Sequence, residues 1–380
     1  MADNQKSSFG GLPVALVGEI LDKSGKIAED IYAPFRDITQ KRGALRKQME
    51  ADSLIRVNDP SGGEIASSCG IDSAHALEKF LASDFACCAA FGAEGMISES
   101  GKQHWATPAH KVVFHTVDNN PENGRLAAAI AMELTAELAA GAPHDIVLFR
   151  ASFITPFAVF MDSLRYAIAA KDSVLGKEFL GRIKQSVMAF KAIFPGQPSG
   201  SPDKIQAGIL KSSPKRELSS KLGLPAAFDE TILFTLMLSP GEYTAPSPVD
   251  MTEIKRVKSI PIKDPAFSSV RDSIAAAAER LRVVYFRPHA WTRAMRIEID
   301  SSAADNPNLL KRLLDTVSFQ CGSPGVSEPY PLTAAETAAK SMTDAIPSIR
   351  KMATSRITSS HGDDLGDIFS LLMNMDSGTG

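Results

Sequence analysis

Apolar runs separated by short polar turns mark out the first half of the chain. Cys69-Gly70-Ile71 leads into Asp72-Ser73, and Ile146-Val147-Leu148-Phe149 leads into Arg150-Ala151-Ser152. The second run is apolar without interruption, the pattern of a strand buried on both faces. Phe85–Ala93, rich in Ala and Cys, fits a tightly packed strand, and the β-branched run Val112–Val117 predicts another. Arg125–Ala140, rich in Ala and Leu, predicts a helix. It carries Glu133 and Glu137 one turn apart on one face. A further helix is expected from about Pro156 to Ala170. Three strands, a helix, a strand and a helix make an α/β arrangement.

Outside this region the periodicity is mostly helical. Val14–Ala51 reads as one long helix or as two joined at Ala33-Pro34, with Val17, Ile20, Leu21, Ile27, Ile31 and Tyr32 at rough helical spacing. A helix beginning near Leu175 should break over Pro195–Pro202. Phe228–Leu238 predicts an apolar helix closed by Ser239-Pro240-Gly241-Glu242-Tyr243. Asp272–Arg282 predicts a helix feeding the strand Val283–Arg287, and Ala294–Ile299 alternates as a strand does. Asn308–Leu314 and Leu332–Met352 read as helices. The Ser/Gly/Asp-rich tail past Ser355 is expected to be mobile, apart from an apolar patch at Ile368–Met375. The expected organisation is a helical extension over 1–60, a main domain over 61–355 and a tail over 356–380.

Composition narrows the possibilities. At 380 residues, with 44% hydrophobic and 22% charged residues, the chain has the make-up of one that buries a sizeable core. No apolar run reaches the roughly 18 residues of a membrane helix, and the N-terminus lacks a basic segment followed by an apolar one. A cytoplasmic, non-membrane protein is therefore expected. The four cysteines show no CxxC spacing, so buried thiols are favoured over a zinc site. A net charge of −3 removes bulk attraction to polyanions. Contacts to DNA would have to come from local patches, of which Lys41–Lys47, Lys211–Lys221 and Lys255–Lys263 are the basic ones; each also reads as solvated surface.

Two acids carry the chemical interest. A carboxylate where a strand stops, as at Asp72, suits Mg²⁺ or Mn²⁺, which take hard oxygen ligands. On spacing alone Asp72 reads more readily as the N-cap of a helix starting at Ser73. Glu133 could be carried by its helix against a neighbouring strand end, or share a solvated face with Glu137.

The ordered set of short segments resembles the NurA family of nucleases. Gly70-Ile71-Asp72-Ser73 resembles that family's first Asp-Gly-Ser turn, and Asp145–Phe153 its second, with Arg150 in place of Asp. Gly208–Ser213, Asp229–Pro246, Tyr285-Phe286-Arg287 with Met295–Glu298, and Tyr330-Pro331-Leu332 with Ala335-Glu336 continue the series, Glu336 standing at a His position. The resemblance implies an RNase H-like α/β core of mixed sheet flanked by helices, with a helical N-terminal extension and insertions. It also implies a homodimer and partnership with a HerA-like hexameric ATPase in DNA end processing or defence against foreign DNA. It implies Mn²⁺- or Mg²⁺-dependent phosphodiester hydrolysis, with Asp72, Glu133 and Glu336 as metal ligands and catalytic residues. Arg150, Lys211, Lys215 and Arg216 are the expected DNA contacts.

Arg150 divides this reading. Two like charges about 4 Å apart repel by ~4 kcal/mol at an effective dielectric of about 20, and a divalent ion would feel more. Arg150 either replaces the metal, pairing with Asp72 and Glu133 in a protein that binds DNA and the ATPase without cleaving, or points away and leaves Asp72, Glu133 and Glu336 to a rearranged metal. In both cases Cys69–Asp72 and Ile146–Phe149 should be neighbouring strands, with Asp72 within roughly 15 Å of Arg150.

Overall fold

The computed structural model describes residues 12–59, 65–79, 83–99, 101–193, 204–212, 215–223, 229–261 and 265–375. Its elements in chain order begin with α1 (Val14–Ala51), β1 (Ile55–Val57), β2 (Ser68–Lys79), β3 (Asp84–Glu94), β4 (Ala109–Val117), α2 (Asn123–Ala140) and β5 (Ile146–Phe149). Then come α3 (Ile154–Ala169), α4 (Val174–Ile193), β6 (Ile205–Leu210), α5 (Glu230–Met237), β7 (Glu242–Thr244), β8 (Ser247–Pro248), α6 (Thr252–Lys258) and α7 (Pro265–Ala278). The chain closes with β9 (Leu281–Arg287), β10 (Met295–Asp300), α8 (Ser301–Ala304), α9 (Pro307–Gln320) and α10 (Tyr330–Met375).

Among the described residues the strands form a single mixed sheet in the order β1-β7-β9-β10-β6-β5-β2-β3-β4, with β8 on β9. β2, β3 and β4 make an antiparallel meander, and α2 then crosses back to place β5 parallel to β2. β6 continues in parallel beside β5. This is the RNase H-like core that the sequence led us to expect.

The sheet is covered on both faces. Val147 and Phe149 pack into a layer with α2, α3 and α4, while the intervening Ile146 and Leu148 pack into a layer with α9 and the start of α10. Alternation along a strand sends neighbours to opposite faces. A strand apolar at every position is therefore one covered on both sides, as Ile146–Phe149 is.

Several elements differ from expectation. β2 does not stop at Asp72 but runs on to Lys79, because the Ala/Cys-rich β3 pairs with it over its full length from Cys69↔Glu94 to Lys79↔Asp84. Asp72 is thus neither a strand terminus nor a helix cap. The parallel pairing with β5 does end there, at Ile71↔Phe149. β6, a short six-residue strand, was not among the elements expected from the sequence. α1 is a single helix through Pro34. α10 continues to Met375, so the composition past Ser355 does not interrupt the helix. The break expected over Pro195–Pro202 lies outside the described residues. The four cysteines are free and buried, and no helix is long and apolar enough to cross a membrane among the described residues.

α10 seats closely on β2. A Cβ added to Gly70 would come within 2.4 Å of backbone atoms of Pro331 and Leu332. Farther along, Cys87 Sγ lies 3.0 Å from Met342 Sδ. Gly70 is needed here for close approach rather than for an unusual dihedral angle. Gly70→Val should therefore push α10 off the sheet and lower the unfolding free energy by roughly 1–3 kcal/mol or more. Thermal unfolding checks this, and an unchanged melting temperature would show that the contact is slack.

Candidate active site

The alternation that seats Gly70 against α10 puts Asp72, two residues on, on the same face. Arg150 follows directly after β5, and its backbone N–H donates to Ile71 O at 3.2 Å, which holds it beside Asp72. Glu336 lies one helical turn beyond Leu332, the residue at Gly70, and so faces the same way. Glu328 comes from the turn before α10.

These groups converge on one guanidinium. Arg150 reaches Glu336 Oε2 at 2.7 Å through Nη2, Glu328 Oε1 at 3.0 Å through Nη1, and Asp72 Oδ2 at 3.8 Å through Nε. Lys211, one residue past β6, adds contacts of 2.6 Å to Glu328 and 3.7 Å to Glu336. Lys340 lies 2.8 Å from the second oxygen of Glu336. Three carboxylates are thus matched by three cations. Glu328 is the member that the sequence did not flag: it sits in a Pro-rich turn with no motif, and only the approach of α10 to β5 brings it in.

The electrostatics follow from depth. Burial raises Asp72 to about 6, against the hydrogen bond from Ser73 N–H and the charge of Arg150, both of which favour the carboxylate. Burial also raises Glu336, but its hydrogen bond from Lys340 and the charges of Arg150 and Lys211 outweigh that and leave it lowered.

The turn that carries Arg150 is held from below. Ser152 Oγ–H and Phe153 N–H donate to the same oxygen of Glu298, at 2.8 and 2.9 Å. Glu298 is fully buried and paired with Arg296, which also pairs with Glu217. The Arg296-Ile297-Glu298 segment singled out in the sequence therefore supports the turn from β10 and does not itself reach the Arg150 cluster.

The structure does not bring Glu133 to this cluster. The residues that α2 presents to the pocket beside Asp72 and Arg150 are Met132, Thr135 and Ala136; that pocket is otherwise lined largely by apolar side chains, among them Phe149 and Phe190. Glu133, fully buried, points instead to Arg182 of α4, with Nε 3.4 Å from Oε2. Arg182 also bonds Glu137 at 2.6 Å, and Lys111 meets Glu137 at 3.0 Å. Burial raises Glu133 to about 8, beyond the opposing effects of Ser186 and Arg182. Helical phase explains the separation: Glu133 and Met132 differ by about 100° around α2. The structure thus joins Asp72, Arg150, Glu336 and Lys211, and leaves Glu133 in a second ion network.

The remaining expected DNA contacts lie elsewhere. Lys215 sits 3.4 Å from Glu253, and Arg216 lines a shallow surface pocket with Lys215, Asp250 and Arg256. Among the described residues no group of three or more His, Cys, Asp or Glu is placed to hold a metal ion. The oxygen donors at Asp72, Glu328 and Glu336 suit a hard cation, but the guanidinium stands between them. With Arg150 in place, this donor set does not fit a divalent ion.

The raised Glu133 has a consequence for stability. Its folded pKa, about 8, lies above the ordinary value of 4.5, so the stability linked to its proton is complete below about pH 4.5 and is lost as pH rises through 8. Glu133→Gln removes this titration. The variant should gain on the wild type from about pH 5 to about pH 9, by at most a few kcal/mol. Melting curves for the two proteins across that range test the assignment, and parallel pH profiles would refute it.

No family model matches the sequence, and none of the curated proteins matches it at sequence level. The likeness lies in structure. The NurA nuclease from Sulfolobus solfataricus aligns at 14% identity with a TM-score of 0.59, over 90% of this chain and 98% of that one. A structure of NurA with manganese aligns at 10% identity with a TM-score of 0.50, over 89% and 98%. A meander of three strands, a crossing helix, two parallel strands and helices on both faces thus bring the chain to the same result by geometry as by its sequence motifs: it has the NurA fold.

Proposed function

We propose that this chain is a NurA-type DNA-processing subunit that works with a HerA-type hexameric ATPase, and that Arg150 holds its phosphodiester-cleaving centre shut. The observation that supports this reading is the guanidinium lodged among Asp72, Glu328 and Glu336. Divalent ions in such a centre activate water and stabilise the leaving oxygen. Here Arg150 and Lys211 neutralise the carboxylates instead, and neither can supply an open coordination site. In this state the subunit engages DNA and the ATPase without hydrolysing the strand. A role in end processing or in defence against foreign DNA, and a homodimeric, cytoplasmic form, belong to the same proposal.

A second reading keeps the enzyme active. Asp72, Glu328 and Glu336 are hard oxygen donors gathered around one point, and a protein of the same fold is known with manganese. On this reading Mn²⁺ or Mg²⁺ would be held by Asp72 and Glu336 once Arg150 swings out, and Glu133 would contribute only after α2 had turned.

Cleavage of linear DNA with Mn²⁺, with the ATPase present, separates the two. Wild type should cleave no better than Asp72→Ala, while Arg150→Asp should gain activity by ~10-fold or more, a change of about 1.4 kcal/mol in the barrier. Strong wild-type cleavage that is lost in Asp72→Ala would establish the active nuclease. Strong cleavage by wild type that Asp72→Ala fully retains would place the chemistry elsewhere.

The partner surface is proposed at the chain ends. Val14, Leu21, Ile27 and Ile31 lie exposed on the first half of α1, more apolar surface than a solvated helix needs. Ile368–Met375 carries a similar run in sequence. Removing residues 14–32 or 368–375 should weaken co-purification with the ATPase. Unchanged recovery after both deletions would take these segments out of the interface.

A further inference from the structure

The hairpin between β9 and β10 presents an aromatic pair that the cluster at Arg150 leaves unexplained. His289 and Trp291 stack with ring centroids 4.5 Å apart and an interplanar angle of 11°. Trp291 is nevertheless 43% exposed. A Trp left this open loses much of the stabilisation its burial would bring.

The pair is held in place from three directions. Arg287 spends its guanidinium on carbonyls: Thr292 O and Ala290 O within the loop, and Thr235 O and Leu238 O beneath it. Thr292 Oγ–H donates to His289 O and accepts from His289 N–H, both at 3.0 Å. The end of α9 supplies the third anchor: His289 Nε2–H donates to Ser318 O at 2.9 Å, and Trp291 Nε1–H donates to Cys321 O at 3.2 Å. These bonds satisfy carbonyls at the helix terminus and account for the polar edges of both rings. They do not require the indole to lie in solvent. His289 stacks on one face of it, and the residue as a whole stays 43% exposed.

The position relates the pair to Arg150. β10 starts beside the end of β6, with Arg296 opposite Leu210, and β6 ends beside β5. Hairpin tip, Lys211 and Arg150 therefore share one edge of the sheet. The anchors on α9 put the rings on the α9–α10 face, the face on which Asp72 meets Glu336. From β10 to β2 is three strand spacings, roughly 14 Å at about 4.8 Å each. Exposed Arg293 stands two residues from Trp291.

We infer that Trp291, backed by His289, is a stacking platform for an unpaired base of single-stranded DNA approaching the Arg150 centre. A pinned, flat aromatic surface beside a cation is the arrangement that holds single strands without reading their sequence. The inference rests on the DNA reading above and assigns its contact to a place none of the four expected basic residues occupies.

The test measures binding of labelled oligothymidine and of a blunt, fully paired hairpin to the full-length chain, by anisotropy. Trp291→Ala should weaken oligothymidine binding roughly 5- to 100-fold. Trp291→Phe should retain most of it, and hairpin binding should be unchanged in both variants. Melting temperatures of the two variants control for the lost helix-end bond, which both share, so a loss confined to Trp291→Ala isolates the ring. Equal oligothymidine binding by wild type and Trp291→Ala would overturn the platform and leave the DNA reading intact. Wild type that binds the hairpin but not oligothymidine would also overturn the platform alone. Wild type that binds neither would overturn both.

Discussion

The guanidinium of Arg150 ties together three parts of the chain that are far apart in sequence. Asp72 belongs to the central meander, Arg150 to the end of the crossover strand, and Glu328 and Glu336 to the approach and first turns of the last helix. Each of these acids would be costly alone at its depth. Removing one partner of a buried ion pair commonly costs about 3–5 kcal/mol, because the other charge is left stranded. Arg150 and the acids therefore depend on each other, and the seating of α10 on β2 at Gly70 brings them within reach.

A second buried network supports the first. Glu298 receives Ser152 and Phe153 from the Arg150 turn and is itself balanced by Arg296, which also carries Glu217. Nearby, Glu230 accepts the backbone N–H groups of Leu218 and Ser219 and the hydroxyl of Tyr285. Polar groups this deep stabilise only when fully partnered, and then they specify one arrangement. The precision of the turn thus comes from β10 and the segments packed beneath it, while the turn itself supplies only the guanidinium.

Charge on the expected DNA-contacting cations is largely spent locally. Arg150 and Lys211 are committed to acids, and Lys215 faces Glu253. Cations tied into such pairs have little left to offer a phosphate backbone, because each new contact must break an old one. This separates the protein's overall likeness to a nuclease fold from the particular state of its centre. The scaffold has the NurA fold, and within it Arg150 is paired with three acids.

Much of this was legible in the sequence. An apolar run with no polar interruption suited a doubly covered strand, and Ile146–Phe149 is one. The Ala-rich segment from Arg125 had to be a helix, and the order of motifs carried the fold. Asp72 beside Arg150 was expected from two neighbouring apolar runs and from the family resemblance, although β2 does not end at Asp72. What local pattern could not supply was rotation and reach. Glu133 looked equivalent to a ligand because spacing along a helix is visible in sequence, but which way a residue turns is settled by packing, and packing turned Met132 to the pocket beside Arg150 and Glu133 to Arg182. Glu328 was invisible because its role depends on a turn closing over a strand nearly 180 residues away. β2 outran its predicted end because a partner strand was long enough to hold it. Sequence determined which elements form and in what order; tertiary structure alone decided which charges meet.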